Sequence, residues 1–358
     1  MGITQEQVIQ QLRRVNDPEL HKDIVTLGMV KEVAIDGPIV RVHVELTTPA
    51  CPLKDQIQSD IEAAVRKVPG VSAVELQWSA QVRSSRPPSA ALPGVKNVVA
   101  VGAGKGGVGK STAAVMLAFG LHREGATVGL MDADVYGPSI PTLVGVEGHR
   151  PAVNGQLIVP ASAGGVKIMS IGFMVERDKP LIWRGPMAHG VIKQFLEQVE
   201  WGELDYLIVD LPPGTGDVPL TLAQQIPMTG AVVICTPQDV ALMDARRAVK
   251  MYEQLNVPCL GIVENMSYYL CPKCGNRDDL FDHGGAAASA KELKVPFLGE
   301  IPLNARIRIH GDGGVPEKLF TDTPSYVTDA IRKVVQNTAG QISIRSRLQV
   351  AAPTLTVE

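Results

Sequence analysis

Apolar positions in the first eighty residues keep two rhythms. Val8, Leu12 and Val15 recur at helical spacing and Thr4 and Gln7 stand as a capping box, which predicts a helix over Thr4 to Val15. Val40, Val42, Val44 and Leu46 then alternate with Arg41, His43 and Glu45 as a half-buried strand does. Val30 to Ile35 precedes them across Asp36-Gly37-Pro38, predicting a hairpin. Ile57, Ile61, Ala64, Val65 and Val68 return to helical spacing before Val74, Leu76 and Trp78 alternate again. The order α-β-β-α-β predicts a small α+β domain over residues 1–83.

Further on, alternation gives way to unbroken apolar runs. Val98, Val99 and Val101, then Ala126 to Met131, Leu204 to Pro213, Gly230 to Thr236 and Cys259 to Val263 read as strands covered on both faces. Helical segments such as Thr112 to Leu121 and Val240 to Leu255 fall between them. This predicts an α/β domain over residues 96–338, a mostly parallel sheet with flanking helices. Ser84 to Gly94 is rich in Ser and Pro without an apolar period, so residues 84–95 read as a linker. Beyond Gln336 the period fades, and residues 339–358 read as a flexible tail.

Composition narrows the partners. The 358 residues leave room for two domains with cores of their own. With 34 Lys and Arg against 37 Asp and Glu, net charge −3, and no long basic block, nucleic acid is not an expected partner. No apolar run approaches the ~20 residues that span a bilayer, and the N-terminus lacks signal-peptide character, so no membrane partner and a cytoplasmic location are expected. Five cysteines, two of them in a Cys-x-x-Cys pair, suit metal or redox chemistry in a reducing compartment.

The densest chemical signal runs from Asn97 to Thr112, where Gly104-x4-Gly109-Lys110-Ser111 fits P-loop spacing. Glycines let backbone N–H groups converge on phosphate oxygens, Lys110 reaches the β/γ-phosphates, and the Ser111 hydroxyl suits Mg²⁺. The following helix turns its positive end to the anion. With Lys105 included, Gly104-Lys105-Gly106-Gly107-Val108-Gly109-Lys110-Ser111-Thr112 resembles the deviant Walker A motif of the MinD/ParA/nitrogenase iron protein class. In that class the extra lysine reaches across a dimer interface to the partner's nucleotide. The resemblance therefore implies a homodimer enclosing two ATP molecules, with Lys105 and Lys110 catalytic; a solvated loop lysine is the alternative for Lys105.

Carboxylates at strand ends extend this site. Asp132-Ala133-Asp134 follows Met131, and one carboxylate there can hold Mg²⁺ through water while another orients the attacking water. Resemblance to the class's first switch makes Asp134 the candidate for the water, with turn formation as the alternative. Leu204 to Pro213 closes on Asp210 as a Walker B aspartate requires, and Gly214-Thr215-Gly216-Asp217 supplies backbone for a second switch. In related ATPases the asparagine matching Asn265 recognises adenine, and that role is carried over by resemblance.

Cys271-Pro272-Lys273-Cys274-Gly275 can aim two sulfurs at one metal, yet closed sites generally want four ligands and no second such pair exists. A two-fold dimer would supply four thiolates from two copies. A structural zinc shared across the dimer, one completed within a single chain by His283 and a carboxylate such as Asp282, and a redox pair are the alternatives. Cys235 and Cys259 lie inside apolar strands and read as packed. In the first domain, Asp17-Pro18-Glu19-Leu20, Asp23-Ile24-Val25, Leu27-Gly28 and Thr47-Thr48-Pro49-Ala50-Cys51-Pro52 resemble the small domain of iron-sulfur cluster assembly factors. Cys51 precedes a predicted helix, which favours a thiolate, or it packs as a small apolar residue.

Together the Walker A stretch, Asp210 to Asp217, Trp183-Arg184-Gly185-Pro186 and the Cys271/Cys274 pair resemble the Mrp/ApbC family of iron-sulfur cluster carrier ATPases. The resemblance implies a homodimer that binds a labile [4Fe-4S] cluster at its interface, hydrolyses ATP with Mg²⁺, and works with scaffold proteins and apo iron-sulfur proteins. A MinD/ParA-type positioning ATPase with a structural zinc site is the rival, and would need a basic amphipathic helix or basic patch.

Overall fold

A computed structural model describes residues 2–18, 21–85, 91–174 and 185–350. It divides into two compact units, Met1–Arg83 with residues from Ser343 onward, and Ser84–Ile342.

In the first unit, helix α1 (Gln5–Leu12) carries the predicted capping box: Thr4 Oγ1 accepts from the Gln7 amide at 3.3 Å and Gln7 Oε1 from the Thr4 amide at 3.1 Å. Strand β1 (Val30–Asp36) pairs antiparallel with β2 (Ile39–Leu46). After helix α2 (Lys54–Val65), β3 (Ala73–Ala80) lies parallel to β2. Val40, Val42 and Val44 are buried beneath Val8, Leu12, Ile57 and Ile61, so the alternation in β2 is the core-facing side of the sheet.

The second unit is built on strand β4 (Val95–Gly102). Helix α3 (Lys110–Arg123) follows, then β5 (Val128–Asp132), α4 (Ile140–Leu143), β6 (Ala161–Ala163), β7 (Val166–Ser170), α5 (Gly185–Glu197) and β8 (Leu204–Asp210). The chain continues through α6 (Asp217–Gln225), β9 (Gly230–Cys235), α7 (Asp239–Gln254), β10 (Cys259–Leu270), β11 (Arg277–Asp278), α8 (Gly285–Leu293) and β12 (Phe297–Leu303). Helices α9 (Ala305–Asp312) and α10 (Lys318–Thr321) follow, then α11 (Ser325–Val350), whose residues up to Ile342 belong to this unit.

Among the described residues these strands form one sheet, in the order β6-β7-β5-β8-β4-β9-β10-β11, with β12 also on β10. All pairings are parallel except β6 with β7 and β10 with β11. The connections after β4 first build one side of it and then, from β9, the other. The C-terminal end of β4 is thus the switch point where α/β sheets bind ligands. Strand β4 and helix α3 are apolar nearly all round because both are covered on every side. At Gly120 the approach of α11 is so close that a Cβ would meet Val335.

Two expected boundaries change. The described parts of the 84–95 linker belong to the second unit: Ser85 Oγ donates to Asn97 Oδ1 at 2.8 Å, and Leu92 is buried in the sheet core. Residues 86–90 lie outside the described residues. Helix α11 runs through Val350 rather than fraying at 339. Ala339, Ile342, Ser343 and Ser346 are buried at helical spacing, and two serines on that face broke the apolar pattern.

Candidate functional site

The P-loop closes β4 onto α3. Gly109 sits left-handed at φ +83 as the residue before α3, with no side-chain cap on the helix, so the first amides of α3 face the cradle without a capping partner. Gly107 is also left-handed, at φ +81, but open on its Cβ side. A Cβ at Gly104 would collide with the Asp244 backbone, and one at Gly109 with the Asn265 amide. Gly109→Ala is therefore expected to weaken nucleotide binding by roughly tenfold or more, from left-handed strain plus collision. Gly107→Ala should carry the strain alone and lose less; titration with a fluorescent nucleotide compares the two.

Strand register assembles the carboxylates. Asp210 pairs alongside both Val101 and Asp132, so the ends of β4, β8 and β5 coincide. Lys110, 6% exposed, points Nζ at Asp210 Oδ1 (2.5 Å), Asp134 Oδ2 (3.3 Å) and Ser111 Oγ (3.3 Å). Asp134 Oδ1 accepts from the amides of Tyr136 and Gly137, shaping the turn it sits in. Asp132 accepts from the Asp134 amide on one oxygen, and from Ser170 Oγ and the Ile140 amide on the other.

Burial pushes the Asp132 carboxyl up to about 8, with Asp210 adding repulsion and Ser170 opposing it. Burial likewise raises Asp210, against the pull of Lys110 and Ser111. Among the described residues, Asp210 Oδ2 is buried without a hydrogen-bond partner. A hard cation fits that orphaned oxygen beside the Ser111 hydroxyl, as a nucleotide-bound Mg²⁺ requires.

Asn265 stands at the far side of the P-loop, where its Nδ2 donates to the Val108 carbonyl at 2.8 Å. The same strand, β10, continues to a hairpin: Cys271 to Asn276 link β10 to β11, closed by Gly275 N to Cys271 O (2.8 Å) and Cys271 N to Asn276 O (2.9 Å). Gly275 takes φ +73 in this turn. Backbone amides of Lys273 and Cys274 lower the Cys271 thiol, favouring a thiolate. Cys274 is exposed and Cys271 half-buried.

Among the described residues no third His, Cys, Asp or Glu joins the pair in a metal-holding group. His283 instead lies 3.0 Å from Glu300, and Asp282 accepts from the His283 amide. The one-chain zinc alternative is not assembled, and the pair lies on a hairpin rather than at the helix start of a redox motif.

Lys105 is half-buried. Cys51 belongs to the first unit, where it packs against that unit's core. Trp183 and Arg184 lie outside the described residues, as do Glu19 and Leu20. Two contributors went unnoticed in the sequence, Ser170 and Glu264. Ser170 carries no local signal. Glu264 did, being a charged residue within a buried strand.

Fold and site define a P-loop NTPase of the MinD/ParA type. The family model described as NUBPL iron-transfer P-loop NTPase matches residues 94–339, and that of an iron-sulfur cluster assembly protein matches residues 5–76. The iron-sulfur cluster carrier protein of Deinococcus radiodurans is 49% identical over 340 residues, 95% of this chain and 96% of that protein. A solved nucleotide-binding protein of Archaeoglobus fulgidus in complex with ADP is 41% identical with a TM-score of 0.58, covering 65% of this chain and 90% of that one. The cell division ATPase MinD of Pyrococcus furiosus shares the fold at 19% identity, with a TM-score of 0.52 over 67% of this chain and 97% of its own. The chain belongs to the iron-sulfur cluster carrier family. No helix among the described residues is long and apolar enough to cross a membrane.

Proposed function

We propose that two copies of this chain hold one labile [4Fe-4S] cluster between their Cys271 and Cys274 pairs, hydrolyse ATP, and deliver the cluster to apo iron-sulfur proteins. The observation that carries this reading is the half-filled donor set: two thiols on an exposed hairpin, one favoured as thiolate, with no further ligand nearby among the described residues. Family membership supports the nature of the cargo.

At the nucleotide site, the P-loop amides and Lys110 bind the phosphates, and Asp134 orients the attacking water. Ser111 and Asp210 would hold a Mg²⁺ ion, which would supply charge neutralisation to the phosphates. Lys105 reaches the partner's nucleotide. Asn265 faces the adenine side of the loop. A cytoplasmic setting keeps the thiols reduced.

Handover to an apo-acceptor in the presence of an iron chelator tests this. The loaded dimer is expected to restore the acceptor's cluster absorption faster than free iron and sulfide do. Restoration at or below the free-ion rate would reject the carrier reading. ATP-dependent pelleting with liposomes would instead favour the positioning ATPase.

A further inference from the structure

One strand touches the nucleotide loop and leads into the hairpin that bears the cysteine pair. In β10, Asn265 holds the Val108 carbonyl of the P-loop, and Cys271 follows just past the strand's end at Leu270. Between them the strand is irregular. Asn265 pairs with Ile301 and Tyr269 with Leu303, so β10 advances four residues while β12 advances two. Met266, at the root of this bulge, has φ +55, a left-handed conformation costly for a residue with a side chain.

That root is clipped. Glu264 is fully buried; its Oε1 accepts from Ser267 Oγ (2.6 Å) and the Gly284 amide (3.1 Å), and its Oε2 from the Ala286 amide (2.8 Å). One carboxylate thus ties the outgoing strand to the returning chain, and residues 268–283, the cysteines among them, hang from a closed base. The base also touches the P-loop. The Asn265 amide fills the place a Gly109 Cβ would take, and Met266 Cε lies 3.9 Å from that place.

We propose that Asn265 and Met266 form a coupling joint, through which phosphate binding at the P-loop changes the presentation of Cys271 and Cys274. The inference rests on the reading that these thiols hold the cargo. Filling the cradle tightens the backbone around Val108 and Gly109, to which the Asn265 amide is bonded. Met266, confined to a left-handed bulge, cannot absorb the shift locally, so it passes to the hairpin as a turn about the Glu264 clip. Asn265 acts here as a positioning residue, in contact with the loop rather than with the thiols.

The test uses the full chain, reduced, metal-free and anaerobic. An aromatic disulfide reagent modifies the thiols, and peptide mass mapping reads the rates at Cys271 and Cys274, with and without saturating Mg-ADP or a non-hydrolysable ATP analogue. Nucleotide is expected to change those rates at least about fivefold. Met266→Gly, free to take either sign of φ, should still bind nucleotide but reduce the change to below about twofold. Ser267→Ala, which loosens the clip, should reduce it as well. Unchanged wild-type rates at saturation, or a wild-type ratio in both variants, would overturn the joint. No iron enters this assay, so failure of the cluster reading shows up separately, as a chain that responds to nucleotide yet holds no cluster.

Discussion

Lys110→Ala should bind Mg-ATP at least ~100-fold more weakly in a calorimetric titration, a loss of about 2.8 kcal/mol at tenfold per 1.4 kcal/mol. Two contributions add. The lysine supplies the buried positive charge that meets the β/γ-phosphates, and in its absence Asp134 presents uncompensated negative charge to an anionic ligand. The empty fold is expected to survive the substitution, because Asp210, already raised by burial, takes up a proton once its cation is gone. Lys105→Ala is expected to separate from it, keeping affinity within a few-fold while losing turnover, since the proposal puts its work across a dimer. Equal loss of affinity in both variants would contradict that division of labour.

Cys271→Ala and Cys274→Ala should each abolish the brown chromophore formed on anaerobic reconstitution with iron and sulfide. Each substitution removes two of four thiolates from a shared site, one from every copy, and a cluster left with two ligands is not retained. Cys235→Ala and Cys259→Ala are the matching controls. Both lie buried in strands, and burial pushes the Cys235 thiol up to about 12, where it makes no thiolate at neutral pH. Their loss should leave the chromophore intact and lower thermal stability only modestly, since a small buried group is removed. A chromophore persisting in Cys271→Ala would remove the hairpin from the site.

Legibility in the sequence followed the locality of the physics. Residues 104–112 were readable because a phosphate cradle needs fixed residue types at fixed spacing within one turn. Asp210 was readable because an unbroken apolar run must end where the sheet does. What the sequence hid was long-range. Nothing near Asn265 announces that its amide holds the P-loop backbone, and nothing near Glu264 announces the amides of Gly284 and Ala286. The end of helix α11 is hidden in the sequence because Ser343 and Ser346 occupy its buried face, where packing overrides polarity. The Ser/Pro-rich linker misled for the converse reason: Ser85 is polar, yet buried on Asn97. Cys271 and Cys274 were visible as a pair, and the structure adds the hairpin that presents them and the lack of a third ligand among the described residues.

Everything about the cargo turns on two chains sharing what neither completes alone. Native mass spectrometry of the reconstituted protein, kept free of oxygen with nucleotide present, weighs the loaded species directly. The expected mass is that of two chains plus a single [4Fe-4S] cluster, with no iron on the monomer. A monomer carrying a whole cluster, or a dimer carrying zinc alone, would contradict the shared site.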